Sequence, residues 1–285
     1  MHPLHKAFTI GLAPLDPDDW IEVDGRLETC LAEKDRLHSE IADKVFAEDP
    51  ETRASQQEIL DLLADHLGRH FPETHVRDGN RMTINGSRHV DLRSGEPPLL
   101  LAAKLVQEDL VIMRRSDAGW RLAAASLCFP SSWSLAEKFG NPLHEIHAPV
   151  PGFGPGTRNA ALIERIFDNL KVDQPVQRLN WGIYANADLY QPDRSAEHGV
   201  SGPGDAASCF FRIERQTLRR MPASGDILFT IRIHLDPLDA LRTRPEAIGP
   251  FVDQLRCLDD AELGYKGLAG RRAELIAALA DIAPA

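Results

Sequence analysis

Residues 209–235 read CFFRIERQTLRRMPASGDILFTIRIHL, two alternating runs on either side of a short breaker. Apolar residues recur at every second position without a helical stripe, which predicts strands over Cys209–Leu218 and Asp226–Leu235. Pro222 and Gly225 set the turn between them. In the first strand the two-residue period places Phe211, Ile213, Arg215 and Thr217 on one face and Arg212, Glu214 and Gln216 on the other. In the second, Ile227, Phe229, Ile231 and Ile233 form a core face, which turns Leu228, Thr230, Arg232 and His234 toward water. Arg219 and Arg220 read as a solvated pair.

Working outward, a third strand is predicted over Val176–Ala185, ahead of a polar, Gly- and Pro-rich loop at about 188–207. Two more, Asp109–Arg115 and Trp120–Phe129, flank Ser116 to Gly119, a hairpin signal. Between the hairpin and the last three strands lie short helices over Ser132–Phe139 and Pro142–His147 and a proline-broken stretch, APVPGFGPG. A longer helix, Thr157–Leu170, follows, with Ala161, Leu162, Ile166, Phe167 and Leu170 as its buried stripe. Upstream, helices are predicted over about 25–47 and 51–70, then a short hairpin or loop region over 75–97, and the chain is helical after Pro237. The order predicts an α+β fold: a PAS-like five-stranded antiparallel sheet with helices over one face, plus N- and C-terminal helical extensions. The expected division is an N-terminal helical extension over 1–97, a PAS-like domain over 98–238 and a C-terminal helical segment over 239–285.

The chain has 285 residues, with 43 acidic against 32 basic side chains and a net charge of −11, which argues against a phosphate-backbone binder. Cys30, Cys128, Cys209 and Cys257 lie far apart without a CxxC pair, so neither a zinc knuckle nor an iron–sulfur loop follows from their spacing. The opening residues lack the apolar core of a secretory signal. The longest apolar run, Leu99–Val106, is broken by Lys104 and is too short to cross a membrane. The expected compartment is the cytoplasm. GFGPG at 152–156 lacks both the GxGxxG pattern and a preceding strand, and no phosphate loop or nucleophile elbow occurs.

Chemistry concentrates in a few residues. His144 and His147 stand three apart in LHEIHAPVPGF. His147 is either a helix-end histidine or an imidazole held beside a groove by the rigid segment after it, in the manner of an axial haem ligand. Arg215 shares a face with Phe211 and Ile213; it is either a buried donor to a haem propionate or bound oxygen, or a strand-end arginine paired with a carboxylate. His234 reads as a surface histidine. Trp181 and Asn180 point to opposite faces, and Trp181 reads as core.

The segments GLAPLDPDDWIEVD (11–24), SLCFPSSWSLAEKFGNPLHEIHAPVPGF (126–153), VQRLNWGIY (176–184), FFRIERQTLRRMPASGDILFTIRIHLDPL (210–238) and YKGL (265–268) resemble, in order, the haem-dependent oxidative N-demethylase family, α-subunit. The resemblance implies a haem b-binding PAS fold. It further implies removal of a methyl group from a dimethylamine-like secondary amine, using oxygen and releasing formaldehyde. Electrons would come from NADPH through partner reductase subunits carrying FMN and a [2Fe–2S] cluster, with tetrahydrofolate bound elsewhere in the complex. No nucleic-acid or membrane partner is implied. Under this resemblance His147 is the expected axial ligand and Arg215 the polar pocket contact, with Thr217 and Trp181 as further pocket residues. Two readings of other classes remain beside it: a non-catalytic haem-binding PAS sensor of gas or redox state, and a haem-free scaffold.

Overall fold

We analysed the protein as a computed structural model, in which residues 8–193 and 208–282 are described. The polar loop predicted at about 188–207 therefore falls largely outside the described residues.

The N-terminal part opens with a two-residue strand β1 (Ala13–Pro14) and continues into α1 (Leu27–Glu40), α2 (Ala42–Val45) and β2 (Phe46–Glu48). The single helix predicted over 25–47 is thus broken at Ile41, whose φ of −141° leaves the helical region. Helix α3 (Arg53–His70) buries Ile59, Leu60, Leu63 and Leu67. Residues 75–97 hold a separate three-stranded sheet, β3 (His75–Asp78), β4 (Arg81–Ile84) and β5 (Arg88–Asp91), rather than a single hairpin. Helix α4 (Pro98–Ala103) follows, with proline in its first turn, where no backbone N–H is needed.

The main sheet is antiparallel and seven-stranded. Its long members are β6 (Asp109–Ser116), β7 (Gly119–Ser126), β8 (Val176–Tyr184), β9 (Phe210–Arg220) and β10 (Ile227–Pro237), in the order β1-β8-β9-β10-β6-β7-β2. All five predicted strands are present at its centre. The expected five-stranded sheet is corrected by the two short strands that extend its edges. Both evade a periodicity reading: β1 is two residues long and ends in a proline, which is tolerated only at an edge, and β2 stops before Asp49-Pro50.

Helices α5 (Leu135–Lys138), α6 (Leu143–Ile146) and α7 (Arg158–Asn169) lie between β7 and β8. The chain ends in α8 (Ile248–Cys257), α9 (Asp260–Tyr265) and α10 (Arg272–Ile282). Helices cover both faces of the sheet, not one. Leu110, Ile112, Ala124 and Leu228 pack with α3, α4 and Trp20. Val111, Met113, Leu122, Leu218 and Ile231, on the reverse face, pack with Leu143 and Phe167 of α6 and α7. Trp181, Ile183 and Phe211 pack with α8 and α10. In α7 the stripe differs in two members: Ala161 and Leu162 are exposed, and the helix turns Ile163 inward instead.

The face predicted to meet water is in fact buried. Thr230 and Arg232 are sequestered beneath residues 19–24, where Arg232 pairs with Asp24 at 2.8 Å and His234 with Glu22 at 2.9 Å. Nor are Arg219 and Arg220 a solvated pair. Arg219 lies over the Trp20 ring at 4.3 Å, and Arg220 donates to the carbonyl oxygens of Phe167 and Leu170, both at 2.6 Å. Those are orphan carbonyls at the end of α7, so a cation there also complements the helix dipole.

Candidate functional site

Between the sheet and α6–α7 lies a cavity of about 220 Å³. At roughly 10–15 Å³ per water on this measure, it has room for an organic group rather than one or two waters. Its floor is the sheet face carrying Val111, Met113, Leu122, Leu218, Phe229 and Ile231, and its roof includes Ile163, Ile166 and Phe167 of α7. One end is polar, with Arg178 and Asn180 from β8, Glu214 and Gln216 from β9, and Tyr265 and Lys266 at the C-terminal end of α9.

The segment that carries the roof is fixed at its root by buried charge. Asp109 is fully buried at the start of β6 and accepts from the backbone N–H groups of Cys128 and Phe129, both at 2.8 Å. Burial raises its carboxyl to about 6. Arg212, also buried, donates to the carbonyl oxygens of Phe129 (2.9 Å), Pro130 (3.1 Å) and Leu189 (3.0 Å). Further on, Gly140 N–H donates to Leu122 at 2.9 Å, and Leu122 N–H to Asn141 at 3.2 Å, which brings α6 against β7.

His147 caps the C-terminus of α6 and lines the cavity. Its Nδ1 lies 2.9 Å from the carbonyl oxygen of Leu143. A carbonyl only accepts, so Nδ1 bears the proton and the Nε2 lone pair is left available. Burial lowers the imidazole to about 4, so it is neutral at physiological pH. A neutral ring held by a backbone carbonyl is the usual state of a metal-bound histidine. Among the described residues no group of three or more His, Cys, Asp or Glu is arranged to hold a metal ion. A lone imidazole over an apolar cavity suits a metal that arrives inside a flat macrocycle, and the residues present fit haem on that ground.

The other site residues expected from sequence lie elsewhere. Strand β9 turns Glu214, Gln216 and Leu218 toward the cavity, so Arg215 and Thr217 occupy the reverse face. There Arg215 donates to Gln177 Oε1 (3.0 Å), to Trp20 O (3.3 Å) and to Asp19 O (2.6 Å), and lies 3.4 Å from Glu22. Thr217 shares a 2.6 Å hydroxyl contact with Thr230. Trp181 also sits off the cavity: its Nε1 donates to Gln254 at 2.8 Å, and its ring meets Phe251 edge-on at 5.0 Å. It touches the site indirectly, since Lys266 stacks on its ring at 4.2 Å. His144 is not among the lining residues, and His234 faces Glu22 across the sheet.

Arg178, Asn180 and Glu214 were missed as pocket residues. Strand alternation carried a signal for two of them: Arg178 and Asn180 are the positions opposite to Trp181, whose ring was read as core. Residues 11–276 match the family described as haem-dependent oxidative N-demethylase, alpha subunit-like.

Proposed function

The chain belongs to the haem-dependent oxidative N-demethylase, alpha subunit-like family, and on that premise we propose that it binds haem in the cavity, with His147 as axial ligand. Its reaction is then the oxidative demethylation of a small secondary methylamine such as dimethylamine. The observation that carries this reading is the His147–Leu143 contact at 2.9 Å, which leaves a neutral Nε2 without a protein partner at the cavity wall.

A bound haem would supply the dioxygen and electron-transfer chemistry that no side chain can. The protein's own part is narrower. Apolar side chains from β6, β10 and α7 exclude water from the cavity and so strengthen polar contacts inside it. Glu214 is the one carboxylate among the lining residues, and its Oε2 already accepts from Gln216 at 2.5 Å. Its other oxygen is the natural acceptor for an amine N–H, which would orient the N-methyl group toward the apolar end. The alpha-subunit description and the lack of a nicotinamide or flavin fingerprint support electron delivery by partner subunits carrying FMN, a [2Fe–2S] cluster and an NADPH site. The strand pattern supports a PAS-like core: a hairpin, a helical insert and three further strands, with β10 closing against β6.

The test is the visible spectrum of wild type and His147→Ala after reconstitution with haem. A Soret band that shifts on reduction and on CO binding, and is lost or altered in the variant, is the expected result. A band unchanged in the variant would remove His147 as ligand, and no haem uptake by wild type would overturn the reading.

A further inference from the structure

The cavity lining is opposite in sign to the chain. The protein carries −11, yet the lining has three cationic side chains, Lys138, Arg178 and Lys266, against the single carboxylate of Glu214. Lys138 is stacked on Trp133 at 4.3 Å. Lys266 donates to the carbonyl oxygen of Trp181 at 2.6 Å and keeps its ammonium over the Trp181 ring. Arg178 has no such arrangement: its Nε is sequestered from solvent and has no hydrogen-bond partner. Glu214, on the neighbouring strand, is not within ion-pair distance of it and holds Gln216 instead.

A guanidinium nitrogen shut off from water without an acceptor is expensive, because Nε has lost its hydration and gained no hydrogen bond in return. Such a group in a folded protein calls for an explanation, and a ligand that completes it is a physical one. The fork of N–H donors on arginine matches a carboxylate two bonds at a time. The strand holds the side chain at the polar end of the cavity, with the Lys266 ammonium close enough to raise the local positive potential.

We propose that Arg178, supported by Lys266, forms a carboxylate subsite at the polar end of the cavity, and that its occupant is a propionate of the macrocycle. This rests on the haem reading above. It also assigns the charge balance of the cavity: two propionates offset the excess of cations, leaving a site suited to an uncharged amine. Arg178 is thereby a cofactor-anchoring residue, which with Lys266 would hold a propionate at the polar end of the cavity.

The experiment compares iron protoporphyrin IX with its dimethyl ester by Soret titration of wild type, Arg178→Gln and Arg178→Lys. Esterification removes both carboxylates and leaves the ring and iron unchanged. Wild type should bind the free acid about 10–100-fold more tightly than the ester, the size expected of charge-assisted hydrogen bonds. Arg178→Gln should abolish most of that preference, weakening the acid while leaving the ester affinity in place, and Arg178→Lys should restore part of it. The ester affinity doubles as the check that the variant is folded. Equal preference for the acid in wild type and Arg178→Gln would overturn the proposal. So would a variant that loses acid and ester alike, since that marks a structural role. No uptake of either porphyrin by wild type would instead overturn the haem reading itself, and this subsite with it.

Discussion

The Nη2 of Arg215 donates to the carbonyl oxygen of Asp19 at 2.6 Å, tying the middle of β9 to a stretch of chain 196 residues earlier. With Trp20 O and the Glu22 carboxylate also within reach, this one guanidinium holds residues 19–22 on the sheet face that turns away from the cavity. Arg215→Leu is expected to destabilise the fold by about 1–3 kcal/mol, because the carbonyl oxygens it serves lose their donor while Glu22, partly exposed, keeps His234. Haem affinity and the Soret maximum should stay as in wild type. Urea unfolding and a haem titration on the same variant check both, and a selective loss of haem would place Arg215 in the cofactor site after all.

Asp109 offers a contrasting case, because its two acceptor bonds fix the root of the segment that leads to His147. Asp109→Ala leaves two buried N–H groups without acceptors, at a cost of about 2–5 kcal/mol. Unlike Arg215→Leu, it should also weaken haem binding, since the Cys128–Phe129 turn is no longer pinned. Unfolding midpoints with parallel haem titrations decide the matter; an unaltered midpoint would contradict it.

Stability should fall on mild acidification. Burial holds His38, His66 and His147 at about 4, against an ordinary value of 6.5. As pH drops through 6.5 the unfolded chain takes up protons that the folded chain refuses, so the equilibrium moves toward unfolding. Asp109, raised to about 6 and so half protonated at pH 6, acts in the opposite sense, but it is one group against three imidazoles. The window between pH 7 and 6 therefore belongs to the histidines. Urea midpoints of the haem-free protein at pH 7.5 and 6.0 should show the loss, and a rising midpoint would refute it.

Thiol chemistry should single out one residue. Cys257 is exposed, whereas Cys30, Cys128 and Cys209 are buried. Burial and the Asp109 charge push the Cys128 thiol far above its usual range, which leaves it without thiolate at neutral pH. Iodoacetamide at pH 8 is expected to modify Cys257 alone in the native protein and all four thiols after denaturation, as read by intact mass.

The long strands, α3 and α7 could be read from periodicity, because each has enough residues for a pattern to repeat. What could not be read was which face of β9 meets the cavity. Its two faces, Phe211, Ile213, Arg215, Thr217 and Arg212, Glu214, Gln216, Leu218, are equally mixed because both are covered by other parts of the chain. Alternation reports the number of faces, not which one a ligand sees. The position of His147 at the end of a short helix was legible for a different reason: the proline-rich sequence after it fixes the backbone there whatever the sheet does. Arg178 was hidden in a strand whose neighbouring tryptophan drew the reading to the other side.

The cavity takes lining residues from far apart in the sequence: Phe8, Ile10 and Leu12 near one end, and Tyr265 and Lys266 near the other. During synthesis, these walls cannot meet until the ribosome has released residue 266, by which time β6–β10 have already emerged. Closure of the cavity is therefore a late event in biogenesis, and a nascent chain stalled after β10 would expose a trough that has its β8 and β9 polar side chains but lacks Tyr265 and Lys266.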